Sequence, residues 1–221
     1  MEKYLILIVF VLFMISVNAN ITNNCYVLNS TGIINEYPYT NNFIYAINFN
    51  KTLMQANYVY YITTSGGNGC YDYSDLCGNF RDDPYGINIL THDDYKYTGF
   101  DRGHIVPNAD YGYDTYIISN VVPMLPYFNQ QIWAKSEEEL RQNYAGKLVY
   151  KGCDYSLDKF IISNLNNTLY VPIGCYYVIF NQTKLPDTVD IVRGQIIDYG
   201  YYLHSDEYFF EKTLPPWIYC E

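Results

Sequence analysis

One stretch of this chain, Asn129 to Tyr144, has the composition of a helix, and it closes before Gly146 as a C-terminal cap would. Around it, apolar residues come in runs rich in Tyr, Val and Ile: Ala56 to Thr64, Tyr116 to Val122, Leu148 to Lys151 and Leu169 to Phe180. Such runs read as strands, and Ser65-Gly66-Gly67-Asn68-Gly69 ends the first of them as a turn. That glycine cluster lacks the following Lys-Ser/Thr of a phosphate loop. Several strands with one strong central helix predict an α+β fold. No internal repeat, low-complexity block or Pro/Gly/Ser-rich linker interrupts the sequence, so fibrous and repeat architectures are excluded and one domain is expected. With 49% apolar residues and 16% charged, the chain can bury a sizeable core. The 28 tyrosines are read as packing and surface residues.

The N-terminus carries an address. After Met1, Glu2 and Lys3 comes an apolar run from Tyr4 to Val17, followed by Asn18-Ala19. A membrane span needs about 20 residues, and this run is shorter. It suits the apolar region of a signal peptide with a small-residue cleavage site. The expected organisation is a signal peptide over 1–19 and one domain over 20–221, secreted or in the lumen of the secretory pathway. Six cysteines, Cys25, Cys70, Cys77, Cys153, Cys175 and Cys220, agree with an oxidising compartment and up to three disulfides. The short Cys70 to Cys77 separation makes those two a natural pair. Zinc is disfavoured, since there is no CxxC pair and no histidine at finger spacing. Asn-x-Ser/Thr sequons stand at Asn20, Asn29, Asn50, Asn166 and Asn181; in a secreted eukaryotic-type glycoprotein they would mark exposed loops, although asparagine is frequent enough for chance to supply several.

Thirteen basic and 23 acidic residues give a formal net charge of −10, so no global field draws in a polyanion. Any nucleic-acid role must be local. The chemistry concentrates between Asn79 and Lys151. Of three histidines, His104 sits in Asp101-Arg102-Gly103-His104, where a carboxylate, a guanidinium and an imidazole surround a glycine that permits close backbone approach. Further on come Ser119-Asn120-Val121-Val122-Pro123, Phe128-Asn129-Gln130, Trp133 and Glu137. Asn129, Trp133 and Glu137 are four apart and on a regular helix share one face. Asn129 and Glu137 would then lie roughly 12 Å apart along the axis. Two short side chains cannot grip one ion across that distance, so one would ligate directly and the other would hold a metal-bound water. No GxSxG motif supports a serine hydrolase.

These residues, in this order and local spacing, resemble the non-specific DNA/RNA endonucleases with a DRGH motif and a ββα-metal (His-Me finger) site, the endonuclease G-like family. The resemblance runs from about Asn79 to Phe180. It includes Phe80-Arg81-Asp82-Asp83, Tyr97-Thr98-Gly99-Phe100 leading into Asp101-Arg102-Gly103-His104, then Asn120, Pro123, Phe128-Asn129, Trp133 and Glu137, and Val171-Pro172 after Lys151-Gly152. One departure is Met124, where the family usually has Gln. The resemblance implies a central antiparallel sheet with flanking helices. It also implies a secreted Mg²⁺-dependent endonuclease, with Mn²⁺ as the alternative ion, leaving 5′-phosphate products from DNA and RNA. His104 would be the general base, Asn129 the direct metal ligand and Glu137 the anchor of a metal-bound water. Asn120 would shape the surroundings and meet substrate, Arg102 and Arg81 would contact phosphate or brace acidic neighbours, and Asp101 would orient the histidine loop. Partners would be nucleic-acid backbones, with a homodimer left open. The rival reading is a catalytically inactive secreted glycoprotein binding nucleic acid or a protein on the same scaffold. From Arg81 to Lys151 there are 7 basic and 10 acidic residues, a sum of −3 against −7 elsewhere, so the site region is less acidic than its shell.

Overall fold

The computed structural model describes residues 24–28, 33–37, 44–67, 69, 79–86, 88–186, 191–215 and 218–220. The expected leader, the sequons Asn20 and Asn29 and the Cys70–Cys77 pair lie outside them. The described strands are β1 (Asn24–Leu28), β2 (Ile33–Tyr37), β3 (Tyr45–Asn50), β4 (Gln55–Ile62), β5 (Asp101–His104), β6 (Val121–Met124), β7 (Leu148–Ile162), β8 (Thr168–Phe180), β9 (Ile191–Leu203), β10 (Phe210–Glu211) and β11 (Ile218–Cys220). The helices are α1 (Asn108–Tyr111) and α2 (Ala134–Tyr144). The main sheet runs β11-β1-β9-β8-β7-β4-β3-β2 with β10 added on β9, and every pairing in it is antiparallel. β5 and β6 form a separate antiparallel ribbon. The predicted α+β class and central antiparallel sheet are what the chain forms. Among the described residues no helix is long and apolar enough to cross a membrane.

Alternation along the strands sends residues to opposite faces of the sheet. One face buries Ala46, Tyr58, Tyr60, Leu148, Tyr150, Tyr176, Val178 and Phe180. The other buries Tyr45, Ile47, Val59, Tyr61, Val149, Cys153, Tyr177 and Ile179 against Ile105, Val122, Met124, Phe128, Trp133 and Leu140. The β5–β6 ribbon and the long helical segment therefore lie on this second face. Tyr45, Tyr58, Tyr60, Tyr61, Tyr150 and Tyr176 are among the largest fully buried side chains, so these tyrosines are core. Cys153 and Cys175 face each other in register across β7 and β8 and are disulfide-bonded. Cys220 is also oxidised, and its Cα register partner on β1 is Cys25.

Three local readings change. Tyr116 to Val122 is a strand only from Val121: Ile117 makes a lone bridge to Arg81 and Ile118–Asn120 forms a tight turn. The reason is Asn120, whose side chain takes backbone groups that a continuous strand would use. β7 continues past Lys151 to Ile162: pairing with β8 breaks after Tyr155 and resumes from Phe160 to Ile162, with the exposed residues Leu157, Asp158 and Lys159 lying in the interruption. The helix opens with a wide turn, Phe128–Trp133, in which the Ala134 N–H reaches the Asn129 carbonyl five residues back. Asn129 therefore does not share the regular i, i+4 face of Trp133 and Glu137.

β5 and β6 approach closely because Gly103 has no side chain: a Cβ there would lie 2.2 Å from Met124 Sδ and 2.4 Å from its Cγ. Met124 is fully buried and cannot yield without disturbing the core. Gly103→Ala is expected to destabilise the fold by about 1–3 kcal/mol through overpacking, read as a lower midpoint in urea unfolding; an unchanged midpoint would show that Met124 repacks freely.

Candidate active site

The β5–β6 ribbon, the wide turn and the loop before β5 enclose a cleft of about 370 Å³ that His104, Arg102, Asp101, Asn129, Phe80 and Tyr116 help to line. His104 ends β5. Its carbonyl accepts a 3.0 Å bond from Trp133 Nε1, which ties the strand end to the helix. Its imidazole packs 5.0 Å from the Phe80 ring and edge-on at 4.8 Å to Tyr116. The Nε2 atom is covered and has no hydrogen-bond partner among the described residues. Burial, with the charges of Lys151 and Arg102, holds the imidazole well below its ordinary value of 6.5. It is thus a neutral ring held by packing, with its proton-accepting capacity uncommitted.

Asn129 sits at the wide turn, half-buried, where the backbone aims its side chain into the cleft. Its Nδ2 donates to Asp101 Oδ2 at 3.0 Å, and Gln130 Nε2 donates to the same oxygen at 2.8 Å. With its amide nitrogen thus held, the orientation of Asn129 is fixed and Oδ1 is left as an acceptor. Asp101 thus orients the asparagine, a role the sequence reading missed; no spacing rule links the two, because only β5–β6 pairing brings them together. Arg102 stands on the cleft wall with its guanidinium 5.0 Å from the Phe80 ring centroid. Its Nη1 lies 2.6 Å from Nδ1 of His92, a second histidine at the site that the motif did not mark.

A histidine, an aligned asparagine and an arginine thus line one cleft beside the β5–β6 ribbon, and the chain that carries them has relatives. The model of the DNA/RNA non-specific endonuclease family matches residues 20–218. The chain belongs to that family. It is 35% identical over 71 residues to mitochondrial endonuclease G of Homo sapiens, covering 28% of this chain and 24% of that protein. It is 30% identical over 136 residues to a nuclease of Nostoc sp., covering 58% and 45%. The matches thus span less than half the length of these relatives. Among solved structures, the complex titled "Crystal structure of the EndoG/EndoGI complex: Mechanism of EndoG inhibition" shares the fold, with a TM-score of 0.55 at 17% identity, over 85% of this chain and 80% of that one.

In this endonuclease-family chain the remaining sequence-marked residues fall outside the cleft lining. Arg81 donates to the carbonyls of Tyr113 at 3.2 Å and Tyr116 at 3.5 Å and lies 4.3 Å from the Tyr113 ring centroid. These contacts brace loop backbone. Asn120 corrects the expectation of a substrate contact: it is fully buried, its Oδ1 accepts from Val106 N–H, and its Nδ2 donates to the Val106 and Thr115 carbonyls. With its amide so committed it has nothing to offer a ligand, and it shapes the exit of β5. Glu137 lies beneath the cleft, 2.7 Å from Nζ of Lys151. Lys151, which carried no role in the sequence reading, is fully buried and 4.1 Å from the Trp133 ring centroid. The third histidine, His204, is structural: its Nε2 accepts from Leu125 N–H at 2.8 Å and its Nδ1 donates to the Pro172 carbonyl at 3.0 Å.

The donor set fits a hard divalent ion. Among the described residues no group of three or more His, Cys, Asp or Glu could form a dedicated cage. One neutral amide oxygen, on a side chain whose Nδ2 donates to Asp101, suits an ion such as Mg²⁺ that keeps most of its water and takes phosphate oxygens.

Proposed function

We propose that this protein is a secreted, divalent-metal-dependent endonuclease that hydrolyses phosphodiester bonds of DNA and RNA, with Mg²⁺ as its ion and 5′-phosphate and 3′-hydroxyl ends as products. The observation that carries the reading is the pairing in one cleft of the unpartnered His104 imidazole with an Asn129 amide aligned by Asp101. His104 accepts the proton of the attacking water, which a neutral imidazole can do. Asn129 Oδ1 holds the ion. Arg102, on the cleft wall, meets a phosphate oxygen with a charge-assisted bond. When bound, Mg²⁺ supplies positive charge against the charge that develops on phosphate and the leaving oxygen. The apolar leader and the oxidised cysteines support export.

The test is incubation of the purified protein with plasmid and with RNA, with Mg²⁺ and with chelator, at two salt concentrations. Both polymers are expected to be cut in Mg²⁺ and neither in chelator. Substrate affinity should fall between low and physiological salt, with a shallow slope, because binding runs through a few backbone phosphates. Cleavage that persists in chelator would overturn the metal-dependent reading, and a salt-independent preference for one sequence would overturn the backbone reading.

A further inference from the structure

Strand β7 carries a charge where its alternation calls for an apolar side chain. Val149 and Cys153 face the core beneath the cleft, and Lys151 between them has the same parity and is fully buried. Its ammonium is 2.7 Å from Glu137 Oε1 and 4.1 Å from the Trp133 ring centroid. Burying such a pair is no gain in stability by itself, because desolvation of both ions offsets their attraction, and apolar replacement of both is often neutral or stabilising. The arrangement is asymmetric: Lys151 takes one oxygen of Glu137, whose side chain keeps 14% exposure. No hydrogen bond to Oε2 occurs among the described residues, which leaves that oxygen as an acceptor. Trp133, which lies against the ammonium, also bonds the His104 carbonyl at 3.0 Å. Lysine, carboxylate, indole and histidine strand thus form one packed chain of contacts.

We propose that Lys151 is a positioning residue of the nuclease site, holding Glu137 as a fixed, charged acceptor for a water of the divalent ion. This rests on the metal-dependent reading above. Burial pushes the Glu137 carboxyl up toward its neutral form, and Lys151 is the largest opposing influence. Arg141 also favours the charged form of Glu137, and Asp110 disfavours it. Without Lys151 the carboxyl loses its strongest reason to stay ionised and its only hydrogen bond among the described residues. An acid in that state offers a proton where a water needs an acceptor.

The test measures Mn²⁺ affinity, by paramagnetic resonance of the free ion, for wild type, Lys151→Met, Lys151→Arg, Glu137→Gln and Lys151→Met/Glu137→Gln, beside cleavage rates. Groups that orient a metal's shell are worth about 10–100-fold in affinity or activity. Lys151→Met is expected to lose that much, and Lys151→Arg to recover part of it. The double variant should bind Mn²⁺ as Glu137→Gln does, because Lys151 acts through Glu137. Should Lys151→Met fail to fold, the comparison of Glu137→Gln with the uncharged pair decides: equal affinities support the proposal, and a further tenfold loss in the pair overturns it. A folded Lys151→Met with wild-type affinity and rate also overturns it while leaving the nuclease reading intact. Wild-type protein that cuts nucleic acid without binding Mn²⁺ or Mg²⁺ overturns the metal-dependent reading, and this inference with it.

Discussion

Replacing His104 with alanine is expected to lower the cleavage rate about 10²- to 10⁴-fold, the range that removal of a general base produces, while metal and DNA binding stay near wild type. Among the described residues the imidazole Nε2 has no hydrogen-bond partner and the ring packs on Phe80 and Tyr116, so its loss removes packing contacts. The pH profile adds a signature. The active form is the neutral ring, and burial with the charges of Lys151 and Arg102 lowers its proton affinity from the ordinary value of 6.5. The base is therefore unprotonated above 6.5 and remains so as the pH falls through 6.5, so the acid limb of the wild-type rate should lie below 6.5 and vanish in His104→Ala. Initial rates on plasmid from pH 4 to 9 check both points. His104→Ala cutting at the wild-type rate would remove His104 from the mechanism even in a proven nuclease.

Asn129→Ala should behave differently. It deletes the amide oxygen proposed to hold the ion, so rate and Mg²⁺ affinity should fall together, and excess Mg²⁺ should restore part of the rate. Outer groups that orient a ligand are worth about 10–100-fold, and a direct ligand is expected to cost at least as much. Asp101→Ala supplies the calibration: it leaves the amide in place but frees it from its 3.0 Å bond, so its loss should be the smaller of the two. A Mg²⁺ titration of cleavage rate for both variants and wild type separates them. Wild-type metal dependence in Asn129→Ala would show that the ion is held elsewhere.

Residues that work through local chemistry were legible before any fold was known. The tetrapeptide Asp101-Arg102-Gly103-His104 announces a histidine beside a glycine that permits close backbone approach, though not that the segment is a strand, and the segment from Asn129 to Tyr144 announces a helix because composition and a terminal glycine act over a few residues. The long strands β4 and β8 were visible for the same reason, as apolar runs bounded by turns. Roles that depend on who lies opposite were not. Asn120 and Arg81 carry the chemistry of ligand-binding residues, yet their hydrogen-bonding groups are turned on the backbone of neighbouring loops.

The same division holds at the centre of the site. Sequence alone determined the residue types, the α+β class and the order of histidine, asparagine and glutamate along the chain, since these follow from local propensity and spacing. Only the tertiary structure decided which of them meet. A single wide turn at Phe128–Trp133 breaks the regular helical face, sending Asn129 to Asp101 in the cleft and Glu137 down to Lys151. No local pattern foretells that parting, because a wide turn and an ordinary one differ only in which carbonyl each N–H reaches, and the contacts around it, such as those of Trp133 with His104 and Lys151, come from segments distant in sequence.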